Sequence, residues 1–105
     1  MKIVRNNYIP FKGFKAMNLF GYLFCRKDAV IGSTTINHES IHTAQMKEML
    51  YVFFYLWYGI EWLIRWAMYR DANKAYRGIL FEKEAYKHED NMKYLEHREH
   101  YAWLE

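Results

Sequence analysis

Between Met49 and Tyr69 the chain is apolar or aromatic except at Gly59, Glu61 and Arg65. A stretch of this length is long enough to cross a bilayer. Three of its features point elsewhere. Glu61 and Arg65 fall mid-to-late in the run, where a charge in lipid is expensive. They stand four apart with the acid first, the favourable order for a pair on one helix. Tyr and Trp are scattered throughout, whereas interfacial belts collect them at the ends. The run therefore reads as the central helix of a small domain, wrapped by the rest of the chain. A membrane surface or a protein partner is the alternative for its aromatic side chains.

Just ahead of this run lies His38-Glu39-Ser40-Ile41-His42, an H-E-x-x-H pattern. On a helix, residues four apart sit almost above one another, so two imidazoles can reach one metal ion. Glu39 lies about 60° around the helix from His42, near enough to hold a water but displaced from the two ligands. Two neutral nitrogens, an open position and a carboxylate base are what a zinc hydrolase needs. Shuffling five His and nine Glu through 105 residues gives the pattern in roughly two chains in a hundred. Spacing adds weight: His38, His42, Gln45, Met49 and Phe53 share one stripe, with Ser40 and Lys47 opposite. The histidines thus face inward, where an unpartnered imidazole is costly.

A chain of 105 residues holds one domain with one modest core. With aromatics at 20%, that core is built from large rings, which supply much burial per residue. The net charge of +3 suits an anionic membrane surface but does not require one. Basic residues form no stripe, so a nucleic-acid partner is not expected. Cys25 is the only cysteine; it rules out an internal disulfide and suits a reducing compartment. No apolar stretch of signal-peptide length opens the chain. The expected location is cytoplasmic, at most peripheral to the inner face of a membrane.

The expected fold is α+β: a short N-terminal β-hairpin or three-stranded sheet on about three helices. Residues 1–32 supply the strands. Lys2 to Ile9 is β-like up to Pro10, Phe11 to Phe14 reads as a turn, and Ala16 to Cys25 is extended around Gly21, with Val30-Ile31 as a further edge. Residues 33–69 hold the motif helix and the aromatic helix, with N-cap candidates among Ser33, Thr34 and Thr35. Arg70 to Lys74 reads as a polar connection. A last helix is expected over residues 76–97, with Phe81, Ala85 and Met92 on its inward face.

Catalytic zinc usually takes a third protein ligand. Glu82, Glu84, Glu61, His88, His97 and His100 are candidates. Glu82 and Glu84 flank the inward face at about the same angle, so periodicity does not choose between them. H-E-x-x-H followed tens of residues later by Glu82-Lys83-Glu84-Ala85 resembles the gluzincin group of zinc metallopeptidases. The small size is similar to that of the minigluzincins, single domains with a three-stranded sheet and a few helices. This resemblance implies a zincin-like fold, a peptide or protein substrate, and Glu82 as third ligand, three residues before Ala85, with Glu84 as second choice. Where that group commonly has an acid or amide after the alanine, this chain has Tyr86, a weaker acceptor for an imidazole N–H.

In such a site His38, His42 and Glu82 hold Zn²⁺ and Glu39 is the general base. Tyr76, Tyr86, Tyr94, His97 and His100 are unranked candidates for the oxyanion donor. The charged, aromatic tail from His97 to Glu105 reads as a solvated end. The resembling minigluzincins can be held latent by such a segment, a role that would fall to His97, His100 or Glu105. The reading from a different class is a non-catalytic scaffold that binds a membrane or partner through the aromatic helix. A homodimer burying part of that aromatic surface fits either reading.

Overall fold

A computed structural model of the chain describes residues 2–8 and 16–104. Its α+β architecture consists of three strands, β1 (Lys2–Asn6), β2 (Ala16–Leu19) and β3 (Tyr22–Arg26), followed by helices. These are α1 (Ser33–Glu48), α2 (Val52–Tyr69), α3 (Ala72–Gly78), α4 (Leu80–His88) and α5 (Tyr94–His97), with a final 3₁₀ turn at Ala102–Leu104. The turn expected at Phe11 to Phe14, the stop at Pro10 and the terminal residue Glu105 lie outside the described residues.

The sheet order is β1-β3-β2, with β1 parallel and β2 antiparallel to β3. A two-residue hairpin at Phe20-Gly21 joins β2 to β3, and both residues have positive φ, 53° and 92°. This is the type I′ geometry whose twist matches that of the strands. Glycine takes it without strain, whereas Phe20 has to be held there. The Tyr55 hydroxyl accepts from the Phe20 N–H at 3.0 Å, and the two rings lie 5.1 Å apart. Val30-Ile31 forms no strand, and Val30 is exposed. With β3 already paired on both sides, a fourth strand there could only extend an outer edge.

Helix α1 begins at Gly32 as N-cap without a side-chain capping bond, so none of Ser33, Thr34 and Thr35 serves as the expected cap. It ends at a reversal in which Leu50 and Tyr51 both take left-handed backbone, φ 53° and 60°. Neither is glycine, and each such residue costs about 1–3 kcal/mol. The Tyr51 N–H donates to Met46 O at 2.7 Å and the ring packs near Phe20.

The aromatic segment is a helix, but it is not wrapped. Of the residues in α2 only Phe54 is buried, and its outer face stands open. No helix among the described residues is long and apolar enough to cross a membrane. The expected Glu61–Arg65 pair forms at 2.8 Å and turns inward. There Glu61 also accepts the Leu80 N–H at 3.0 Å, which satisfies an otherwise unpaired donor at the start of α4.

The last helix is interrupted. Asp71 caps α3 by accepting from the Lys74 N–H, so the expected connection is already helical from Ala72. Gly78 passes so close to α2 that a Cβ there would lie 3.2 Å from the Arg65 side chain. Ile79 is extended, and α4 starts afresh at a new angle. It ends at His88, which leaves Met92 exposed. The core gathers Met46, Phe54, Ile79, Phe81 and Trp103, each worth about 1.5–3 kcal/mol of burial.

Candidate metal centre

The histidine motif occupies the middle of α1, where the sheet and α4 both press upon it. Asn18 of β2 donates to Glu39 O at 2.9 Å and to Thr43 Oγ1 at 3.1 Å, fixing the edge strand to the motif helix. On the other side, the Asn37 amide donates to the carbonyls of Glu89 and Asn91 at 2.8 and 2.9 Å. That bond holds the C-terminal end of α4 against α1.

Between these ties three side-chain atoms converge. His38 Nε2 lies 3.1 Å from His42 Nε2, and Glu82 Oε1 lies 3.2 Å from the first and 3.0 Å from the second. All three residues are buried. Four-coordinate zinc with bonds near 2.1 Å keeps its donors roughly 3.4 Å apart, so the triangle needs little adjustment.

The other ring nitrogens are committed. His38 Nδ1 donates to Glu89 Oε2 at 2.9 Å, a carboxylate that can only accept. His42 Nδ1 donates to Gln45 Oε1 at 2.7 Å. The Gln45 amide cannot be reversed, because its NH₂ faces two acceptors, Phe81 O and Glu84 Oε1, each at 2.9 Å. With both imidazoles neutral, each would point a bare Nε2 lone pair at a carboxylate oxygen. Three buried lone pairs on one point repel unless a cation stands between them, so the donor set fits a divalent metal of the zinc type.

A proton is the other cation suited to that place. Burial disfavours it on His42, but the Glu82 hydrogen bond and charge, then Glu39, outweigh burial and push His42 up to about 9. Glu82 is held well below the usual carboxylate range: burial opposes this, but the hydrogen bonds from both histidines and the His42 charge prevail. The Tyr58 hydroxyl donates to Glu82 Oε2 at 2.5 Å.

Glu39 is within 4.8 Å of the two histidines, ligand atom to ligand atom. Burial raises its pKa, while the charges of His42 and His38 work against that rise. It lines a cleft of about 410 Å³ together with Ala16, Asn18, His42, Tyr76 and Glu82. A groove of about 490 Å³ beside the hairpin tip has no carboxylate or imidazole in its lining.

The other candidates fall elsewhere. Glu84 faces away from the histidines and binds Gln45, Tyr94 at 2.6 Å and Arg98 at 2.6 Å. Glu61 is paired with Arg65, and His88 stacks on Tyr94 at 3.9 Å. His97 is exposed, and His100, 91% exposed, lies 3.3 Å from Glu48. Neither reaches the triad. The tail is not a solvated end either: Arg98 binds Glu48 and Glu84, and Trp103 is buried against Phe81. Tyr86 packs edge-on against His38 at 4.6 Å, its hydroxyl bonded to Tyr76 at 2.8 Å, so it braces the ring and accepts nothing from it.

Gln45, Glu89 and Tyr58 support the triad and were not among the residues singled out by sequence for that task. Gln45 carried a signal in its place on the histidine stripe. Glu89 and Tyr58 come from other elements and carried none.

No protein-family model matches the chain, and neither curated proteins nor solved structures show significant similarity to it.

Proposed function

We propose that this protein is a small zinc-dependent metallopeptidase of gluzincin type, with a zincin-like arrangement of sheet and motif helix. His38, His42 and Glu82 hold the metal. The observation that carries this reading is the convergence of three buried side-chain atoms, two imidazole Nε2 and one carboxylate Oε1, within 3.0–3.2 Å of one another. When bound there, zinc would lower the pKa of water and polarise a carbonyl.

The residues around it supply the rest. Glu39, in the cleft wall beside His42, takes a proton from the attacking water and returns it to the leaving amine. Tyr76 lines the same cleft; burial, then the Glu82 charge, raises its pKa far above neutrality, so it remains a donor for the developing oxyanion. Among the described residues β2 pairs only with β3. Its free edge in the cleft suits an extended peptide added as a further strand. The lone thiol of Cys25 fits a cytoplasmic setting. The competing reading, a scaffold without catalysis, draws on the open face of α2.

The test is metal content by elemental mass spectrometry on wild type, His42→Ala and Glu82→Ala, with peptide hydrolysis on Glu39→Gln. Near-stoichiometric zinc in wild type, lost in both ligand variants, is expected. Glu39→Gln should keep the zinc and lose about 10²–10⁴-fold in turnover. Zinc retained in Glu82→Ala would remove the proposed ligand set. Zinc bound with no hydrolysis of any peptide library would favour the scaffold.

A further inference from the structure

The outer face of α2 is open along its whole length. Phe53, Leu56, Ile60, Leu63, Ile64 and Met68 are each 54–66% exposed. At 100° per residue the open arc runs through roughly 200°, from Trp66 round to Met68, and no charged side chain falls within it. A half-exposed aliphatic or aromatic side chain presents on the order of 100 Å². The arc therefore offers roughly 900 Å², more than the few hundred Å² of the largest apolar patch on a typical monomer. It is close to the ~800 Å² that each partner gives to a standard interface.

We infer that this face is the two-fold interface of a homodimer, in which α2 packs antiparallel on α2 of a second copy. Two observations select this occupant. First, the arc is nearly symmetric about Ile60, at the middle of the helix. A two-fold axis there sets Leu56 against Ile64 of the other copy and the large Phe53 against its small Ala67, so one surface complements itself. Second, helices that lie on membranes carry Lys and Arg along the border of the apolar face. The only cation within α2, Arg65, is turned inward onto Glu61. The inference does not depend on whether the metal centre binds zinc.

Sedimentation velocity of the full chain, from low to high micromolar concentration, should give a species of twice 12.9 kDa. Because Cys25 is fully buried, Ile60→Cys introduces the one accessible thiol. Mild oxidation should link it into a covalent dimer far faster than Asn73→Cys, an exposed control off the arc. Leu56→Glu, at a position 54% exposed in the protomer, should keep its circular dichroism and weaken dimerisation at least ten-fold. A monomer at every concentration would overturn the inference, as would co-sedimentation of that monomer with vesicles of phosphatidylcholine and phosphatidylglycerol. Open-ended oligomers, or equal cross-linking at both cysteines, would overturn it too.

Discussion

At the scale of single residues, the imidazoles are held in place by their outer nitrogens. Glu89 orients His38, Gln45 orients His42, and Tyr58 holds the far oxygen of Glu82. At the proposed zinc centre, Glu89→Ala should therefore lower zinc affinity about 10–100-fold while the three proposed ligands remain, read by competition with a chromogenic chelator. Tyr58→Phe should weaken it in the same direction and leave the fold intact, because only a hydroxyl is lost. His38, Glu39 and His42 were legible because a four-residue spacing is local and means one thing on a helix. Glu82 and Glu84 were not separable by angle, since both point inward and both are used, one for the histidines and one for Arg98. What sets Glu82 apart is the two histidines, 44 and 40 positions earlier, a separation that no window of sequence contains.

Among the elements, the tail is bound to the domain by charge. The Arg98 guanidinium bridges Glu48 of α1 and Glu84 of α4, and each of these side chains is at most 6% exposed. Removing one member strands buried charge, so Arg98→Ala should destabilise by about 3–5 kcal/mol in urea denaturation. Arg98→Lys should recover little of that, because the two-sided fork is lost. Glu48 also gives a pH signature. Burial raises its pKa, but the hydrogen bonds from Arg98 and the Tyr101 N–H, with the Arg98 charge, bring it below 4.5. A depressed carboxylate contributes stability above its unfolded pKa and loses it as pH falls through the folded value. Wild type should therefore gain on Glu48→Gln as pH rises through the acid range, and the difference should level off above about pH 5. The strands and the two long helices were legible from alternation and length. The reversal at Leu50-Tyr51 was not, since neither residue announces left-handed backbone. The break at Gly78-Ile79 was hidden for another reason: it is set by how closely α3 approaches α2.

For the whole molecule, ligand linkage sets what metal removal does. Zinc present at a hundred times its dissociation constant would add about 2.7 kcal/mol to the folded state. In a chain of 105 residues, each kcal/mol moves Tm by about 4 °C. Chelation should lower the melting temperature by about 10 °C, and His42→Ala should show no such response. The expectation of a wrapped central helix failed at this scale, because periodicity counts apolar positions and does not count the surface available to cover them. Nine apolar positions on the far side of α2 exceed what three short strands and three short helices can reach. One consequence is optical. Trp57, Trp62 and Trp66 lie on α2, and Trp103, the remaining indole, packs 5.1 Å from Trp57. Trp57 and Trp103 both pack on Phe81, the neighbour of Glu82, while Trp66, 48% exposed at the edge of the open face, stacks 5.8 Å from the half-buried Trp62. The chain thus carries its own fluorophores beside both the candidate site and the outer surface, and their emission can follow each without a label.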